Sequence, residues 1–165
     1  MPETELRTPG DLVDVPLTLL ATRIVGDAAY SEMIRRLAFV VASGNNDAHM
    51  KNWSIVYQDG VTAVLSPLYD QVFTAQWPSF SVQMALELGG TKEFAAVDVV
   101  RFRELARRIG RDLDETSATV LRTIEEVAAA WGRICDDPTV TPAYRSALQR
   151  HWRKVPLLQP HALLI

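Results

Sequence analysis

Three features are scarce in this sequence: cysteine, lysine and long apolar runs. The single cysteine, Cys135, excludes an intrachain disulfide, and a reducing cytoplasm is the simplest setting for such a chain. No apolar run approaches the roughly 20 residues that a membrane-spanning helix needs, and the N-terminus lacks the charged-then-apolar order of a secretory signal peptide. We therefore expect a soluble, cytoplasmic protein with no membrane partner.

An excess of positive charge is absent as well. The chain has 17 basic and 20 acidic residues, and its formal net charge of −3 argues against binding nucleic acid through bulk positive charge. Five arginines nevertheless fall within residues 101–111. A solvated helix face is the ordinary interpretation of such a segment, and docking to an acidic partner or to nucleic acid is the alternative.

What the chain has in quantity is apolar residues in regular patterns. With 165 residues, of which 48% are hydrophobic, it is long enough for one globular domain. Apolar residues at three- and four-residue spacing predict a helix from Ala28 to about Gly44. We expect residues 1–27 to form a lead-in that could be mobile, residues 28–156 to form the folded lobe, and residues 157–165 to form a tail.

The middle of the chain predicts one hairpin. Two β-rich segments, WSIVY (53–57) and VTAVLS (61–66), flank the turn sequence QDG. Residues 74–96 are expected to be irregular. The segment LGGTKEF (88–94) within them is interpreted as a plain turn, because it lacks the residue order of a phosphate-binding loop.

The last part of the chain predicts three helices. The first carries an apolar stripe that Gly110 ends, and the second opens at a capping box formed by Asp112 and Glu115. The third starts at Thr141, which a first-turn proline follows. The fold class is therefore mainly α (α+β), a helical domain with a small hairpin near its start. The tryptophans expected in its core are Trp77, Trp131 and Trp152.

The loop between the first helix and the hairpin has an unusual mixture of polar residues. Asp47 and Asn52 lie five positions apart, Lys51 lies beside Asn52, and Asp70 follows the hairpin. A carboxylate can accept the proton of a hydroxyl nucleophile, and amide and carboxylate oxygens are ligands suited to Mg²⁺. The Asp-x4-Asn step matches the catalytic loop of protein kinases. The alternative is that Asp47 and Asn52 are ordinary turn residues at a helix end.

These residues carry a resemblance to a known family. The segment NDAHMKNWSI, followed by LSPLYDQV, resembles the C-terminal lobe of the HipA family, serine/threonine protein kinases that act as toxins in bacterial toxin–antitoxin pairs. Residues 84–110 also look like the helical part of that lobe, so the similarity covers roughly residues 28–136. The family pattern N-x-D-x-H-x-K-N-x-S, then P-x-Y-D, is matched at Asn45, Asp47, His49, Lys51, Asn52, Ser54, Pro67, Tyr69 and Asp70.

The resemblance implies a kinase C-lobe fold, with the hairpin after the catalytic loop, and ATP and Mg²⁺ as cofactors. It implies that Asp47 is the catalytic aspartate, that Asn52 and Asp70 hold Mg²⁺, and that Lys51 faces the phosphates and assists transfer. His49 would hold the loop by hydrogen bonds. The implied partners are a protein substrate, which could be an aminoacyl-tRNA synthetase, and an antitoxin; direct nucleic-acid binding is not expected.

A kinase of this type also needs an N-terminal lobe that covers the phosphates. This sequence has no G-x-G-x-x-G, no lysine after a V-A-I-like strand, and only about 45 residues before Asp47. We therefore expect half of a kinase, whose other lobe comes from a partner chain, or else a truncated remnant or an excised domain. The alternative from another class is a non-catalytic scaffold that binds an antitoxin or a partner lobe.

Overall fold

A computed structural model describes residues 27–77 and 83–163, so most of the predicted lead-in, residues 1–26, lies outside the described residues. Within those ranges no helix has the length and apolar character to cross a membrane. The described part is mainly helical with two small antiparallel hairpins, which confirms the predicted fold class. Its elements are α1 (Asp27–Ser43), β1 (Ile55–Tyr57), β2 (Ala63–Leu65), β3 (Gln83–Leu88), β4 (Thr91–Glu93), α2 (Val99–Arg108), α3 (Leu113–Ile134) and α4 (Pro142–Lys154), with 3₁₀ turns at Met50–Asn52, Thr74–Gln76, Phe94–Ala96 and Gln159–His161.

Helix α1 is the centre of the core, as its apolar spacing predicts. It packs against α3, and Ile34, Leu37 and Val41 on its inner face are at most 1% exposed. Burying an aliphatic side chain of this size stabilises a fold by about 1.5–3 kcal/mol. The stripe therefore anchors α1 in the core.

The predicted helix starts are confirmed at atomic detail. The Asp112 carboxylate accepts hydrogen bonds from the backbone N–H groups of Asp114 at 2.9 Å and Glu115 at 2.7 Å. Thr141 caps α4 by accepting from the N–H of Tyr144 at 3.2 Å. Each cap satisfies backbone donors that a helix leaves without partners, an effect worth about 1 kcal/mol.

The predicted first hairpin is confirmed, with Ile55 opposite Leu65 across an antiparallel pair. Its turn is stabilised by Asp59, whose carboxylate accepts from the N–H groups of Val61 and Thr62. Hydrogen bonds from the hydroxyl and backbone of Thr62 lower the pKa of Asp59 to about 2.

The expectation that residues 74–96 are irregular is wrong. They contain a second antiparallel hairpin, β3–β4, whose turn includes Gly89 and Gly90 at positive φ. Alternate residues of β3, Met84, Leu86 and Leu88, point into the core, a period of two that identifies a half-buried strand. The glycines of residues 88–94 predicted a turn, and the apolar alternation just before them was overlooked.

The tryptophan prediction is correct for two residues and wrong for one. Trp131 and Trp152 are buried in the core, whereas Trp77 is 44% exposed. Aromatic residues commonly remain in part on the surface, because folded proteins lack enough polar area to cover themselves.

The basic segment makes contacts within the chain. Arg103 pairs with Asp114 at 2.7 Å, and Arg101 donates to the carbonyls of Gly89 at 3.2 Å and Ala96 at 3.3 Å. The remaining arginines pair with Glu104 or Glu87 or lie over an aromatic ring, namely Arg107, Arg108 and Arg111. All five arginines of this segment thus have a partner within the chain, and three of them pair with carboxylates.

Gly44 ends α1 with a left-handed residue. Its φ is +63°, the N–H of Asn45 bonds the carbonyl of Val40 at 3.2 Å, and the Gly44 N–H bonds that of Val41 at 3.3 Å. This pair of bonds is the Schellman arrangement of a helix end. A Cβ at Gly44 would lie 2.8 Å from the ring of Phe73, so both backbone and packing require glycine here.

We expect Gly44→Ala to lower the free energy of unfolding by about 3 kcal/mol, because left-handed strain and overpacking add. Gly60→Ala is the matched control, since Gly60 also has positive φ (+77°) but no atom within 4 Å of its added Cβ. That variant should lose only about 1 kcal/mol. Denaturant unfolding measures both, and equal losses would show that contact with Phe73 is unimportant.

Candidate active site

Asn52 and Asp70 lie in direct contact across the base of the first hairpin. The Asn52 amide nitrogen donates to a carboxylate oxygen of Asp70 at 3.0 Å and to the backbone carbonyl of Asp47 at 3.4 Å. Asn52 is buried while Asp70 is exposed. The structure therefore brings together the two predicted metal ligands, 18 residues apart, and connects the predicted catalytic residue to them through its backbone.

Tyr69 clamps the two ends of the hairpin together. Its hydroxyl donates to the carbonyl of Lys51 at 2.6 Å and lies 2.6 Å from the hydroxyl of Ser54. Because the single tyrosine proton is directed to Lys51, Ser54 is the donor in the second bond. The clamp holds the residues on either side of Asn52 against the residue before Asp70.

Asn45 joins the catalytic loop to the segment of Asp70. Its side-chain oxygen accepts from the backbone N–H of Asp47 at 3.0 Å, and its amide nitrogen donates to the backbone carbonyl of Asp70 at 3.2 Å. Asn45 is 1% exposed, so leaving its amide without these bonds would be costly. Asn45 matches the first asparagine of the family pattern, but no role was predicted for it.

Asp70 has a left-handed backbone, with φ of +56°. Aspartate tolerates this region better than most residues, yet such strain persists only where the surroundings impose it. The bond from Asn45 to the Asp70 carbonyl is one such constraint. The strained backbone directs the Asp70 carboxylate towards Asn52.

Thr74 completes the connection, and sequence reasoning missed it. Its hydroxyl accepts from the N–H of Asn46 at 2.8 Å, and the N–H of Ala75 donates to the carbonyl of Gly44 at 3.0 Å. The partners lie 28 and 31 residues apart in the sequence, and no local pattern signals their contact.

The side chains of Asp47 and Lys51 are exposed, whereas that of Asn52 is buried. Within residues 27–77 and 83–163 the Asp47 carboxylate has no hydrogen-bond partner. Its backbone, in contrast, is held on both sides, by Asn45 and Asn52. Lys51 is held through its backbone carbonyl, and its ammonium makes no ion pair with the described carboxylates. The arrangement combines a fixed backbone with a carboxylate that is available to an incoming molecule.

His49 contributes to the loop through its backbone. Its N–H donates to the carbonyl of Asp47 at 2.8 Å, while the buried Nδ1 of its ring has no hydrogen-bond partner in the described part of the chain. The role of the His49 ring in holding the loop stays a prediction.

The residues present fit a magnesium ion better than a metal bound wholly by protein. No group of three or more histidine, cysteine, aspartate or glutamate side chains converges among the described residues. Mg²⁺ is commonly held by one or two protein oxygens, together with water and substrate phosphates. Asp70 could supply a carboxylate oxygen and Asn52 its amide oxygen. Binding through the Asn52 oxygen would require its amide to turn over, and the ion would then replace the Asn52 hydrogen bonds to Asp70 and Asp47.

We expect Tyr69→Phe to lower the free energy of unfolding by about 1 kcal/mol and to loosen the segment 51–54, because it removes two hydrogen bonds. Tyr57→Phe is the control, since Tyr57 is 53% exposed on the same hairpin and its hydroxyl makes no hydrogen bond with the described residues. Denaturant unfolding and amide hydrogen exchange provide the measurements. Identical behaviour of the two variants would contradict the clamp.

The sequence is similar to a known protein family and to proteins named as kinases. The family model described as HipA-like C-terminal domain matches residues 10–131. The Sinorhizobium fredii protein named "Putative kinase Y4dM" is 36% identical over 104 residues, which are 63% of this chain and 25% of that protein. A second protein of that organism, "Putative kinase Y4mE", is 31% identical over 99 residues, 60% of this chain and 23% of the relative. The chain thus spans about a quarter of the length of these relatives.

A solved structure has the same fold. The match is to the Shewanella oneidensis toxin–antitoxin complex of HipA, HipB and operator DNA, with a TM-score of 0.65 and 19% sequence identity. The alignment covers 82% of this chain and 31% of that one. Because the family model spans well over half of the sequence and includes the whole Asn52–Asp70 site, the protein belongs to the HipA-like C-terminal domain family.

Proposed function

We propose that this chain is the catalytic lobe of a HipA-like serine/threonine protein kinase, which transfers a phosphoryl group from ATP to a protein hydroxyl with the help of Mg²⁺. The observation that carries the proposal is the 3.0 Å contact between Asn52 and Asp70, beside the exposed carboxylate of Asp47. Phosphoryl transfer needs precise positioning and charge neutralisation more than covalent chemistry. A rigid loop with an accessible carboxylate meets that need.

Asp47 is the residue proposed to act on the substrate. Its exposed carboxylate orients the serine or threonine hydroxyl and accepts its proton. The Asn45 side chain at its N–H and the His49 N–H at its carbonyl keep the backbone fixed. Fixing the backbone before the substrate arrives reduces the entropy lost in reaching the reactive geometry.

Asn52 and Asp70 are proposed to hold Mg²⁺, which when bound neutralises negative charge across the phosphates. Before the ion binds, the hydrogen bond between these two side chains keeps the carboxylate and the amide adjacent, and Mg²⁺ would replace that bond. The exposed Lys51 is proposed to offset charge on the transferred group, with its backbone held by Tyr69.

Phosphoryl transfer also requires a second wall for the nucleotide. The curated relatives are about four times as long as the matched region, which supports a lobe supplied by sequence beyond this segment or by a partner chain. An antitoxin is a further proposed partner, because the Shewanella neighbour was solved with HipB and operator DNA. The substrate proposed from the family resemblance is a cytoplasmic protein such as an aminoacyl-tRNA synthetase.

A non-catalytic scaffold is the second candidate. The observation that favours it is the short match, since one lobe alone buries little of a nucleotide. In this alternative the helical core of α1 and α3 presents a surface to an antitoxin or a partner lobe, and the Asn52–Asp70 contact serves only to hold the hairpin.

We expect Asp47→Asn to reduce phosphoryl transfer by at least about 100-fold, since general-base catalysis contributes about 10²–10⁴. Nucleotide binding and the free energy of unfolding should change little, because the Asp47 backbone makes the structural contacts. The assay follows labelled phosphate into protein, with this chain alone and mixed with the product of the neighbouring reading frame.

Glu125→Gln is the matched control for that experiment. Glu125 is exposed on α3, and its change from carboxylate to amide should leave transfer intact. Full transfer by the Asp47→Asn variant would exclude Asp47 as the base, whatever the family resemblance suggests.

We expect Asp70→Asn to weaken Mg²⁺-dependent ATP binding by about tenfold or more, because a carboxylate ligand is lost. Asparagine also tolerates positive φ, so the strained backbone at residue 70 is preserved. Calorimetric titration of the chain with Mg-ATP, alone and with the neighbouring gene product, measures the effect. Magnesium-dependent binding only in the mixture supports a two-part kinase, and no binding in either sample favours the scaffold.

A further inference from the structure

Helix α4 lies beyond the region that the family model matches, yet it contacts the start of the catalytic loop. The match ends at residue 131, while α4 begins at residue 142. Two adjacent side chains of α4 reach the C-terminal end of α1. His151 Nε2 lies 2.8 Å from the carbonyl of Val41, and Trp152 Nε1 donates to the carbonyl of Ala42 at 2.9 Å.

One of these contacts satisfies a carbonyl that the end of α1 leaves without a partner, and the other adds a second bond to a carbonyl that has one. The last carbonyls of a helix have no partner within it, and the Gly44 turn supplies partners only for Val40 and Val41. Trp152 supplies one for Ala42, and His151 adds a second bond at Val41. Both side chains of α4 are buried, at 8% and 1% exposure, so water cannot replace them.

The His151 ring is held in one orientation. It lies edge-on to Phe94, with ring centroids 5.0 Å apart, and at 6.0 Å from Phe73. Burial, with a smaller contribution from the charge of Lys154, lowers the pKa of His151, although its bond to Val41 acts in the opposite direction. A neutral ring must carry its proton on Nε2, because a carbonyl only accepts.

The end of α1 determines where the active-site loop begins. Gly44, Asn45 and Asp47 come within five residues of Ala42, and Asn45 fixes the backbones of Asp47 and Asp70. A Cβ at Gly44 would also lie 3.2 Å from His151 Nε2, so the turn packs directly on α4. Because so few residues separate the end of α1 from Asn45 and Asp47, we expect a shift of that end to displace both residues.

We propose that His151 and Trp152 are positioning residues, which set the conformation of the loop carrying Asp47 and make α4 a required part of the active lobe. Neither residue is proposed to touch substrate or nucleotide. Their effect on catalysis rests on the proposed kinase function, whereas their effect on the loop does not.

The test compares variants of the full chain. His151→Leu and Trp152→Phe each remove one hydrogen-bond donor and keep an apolar or aromatic group in place. His151→Gln retains an amide donor at a similar distance and should rescue. Leu148→Ala is the control, because Leu148 is a buried apolar residue of the same helix, 6% exposed, and has no polar group to offer the loop.

The first readout is amide hydrogen exchange at residues 45–47, expressed relative to the amides of α3 to correct for global stability. We expect about tenfold faster relative exchange in His151→Leu and Trp152→Phe, roughly the effect of losing one hydrogen bond. His151→Gln and Leu148→Ala should stay near the unaltered value. Unchanged exchange in both donor-removal variants, or an equal increase in Leu148→Ala, would overturn the inference.

The second readout is phosphoryl transfer in the mixture with the partner lobe. A positioning role predicts a lower kcat at an unchanged KM for ATP in the two donor-removal variants, and recovery in His151→Gln. An unaltered chain that transfers no phosphate would refute the proposed function, while the exchange result would still decide whether α4 positions the loop. Normal kcat despite faster exchange would overturn the claim that α4 is required for activity.

Discussion

The structure depends on how α1 ends. A helix terminates in carbonyl groups without partners, and at this end they are buried, where an unmet hydrogen bond is costly. Gly44 reverses the backbone, and His151 and Trp152 supply donors from a helix 110 residues away. The end of α1 is thus fixed locally by the Gly44 turn and at long range by α4. The loop that carries Asn45 and Asp47 starts directly after this end.

The site itself uses few side chains, each for more than one purpose. Asn45 employs both ends of its amide to join the backbones of Asp47 and Asp70, and Asn52 directs both amide protons to those same two residues. Both asparagine side chains are buried, so few alternative hydrogen-bond partners are open to them. The result is a rigid frame around one exposed carboxylate, the kind of preorganisation that phosphoryl transfer would require.

Much of the fold could be predicted because its signals are local. The apolar spacing of α1, the cap at Asp112 and the cap at Thr141 each involve residues within a few turns of helix. The second hairpin was missed although the alternation of β3 was present, because β4 has only three residues and two glycines precede it. The exposure of Trp77 could not be predicted, since no local pattern says which apolar residues remain on the surface.

The candidate site divides in the same way. The sequence by itself determined which chemical groups are available, Asp47, Lys51, Asn52 and Asp70, and it indicated a helix, a loop and a hairpin in that order. The family resemblance led us to expect Asn52 and Asp70 at one site, and only the tertiary structure gave their direct contact across 18 residues. It alone decided that α4 contacts the end of α1 across 110 residues. The physical reason is the distance along the chain over which each effect acts. Backbone propensity and hydrophobic periodicity act over a few residues, whereas these contacts form only once the whole core has packed and excluded the water that would otherwise compete for them.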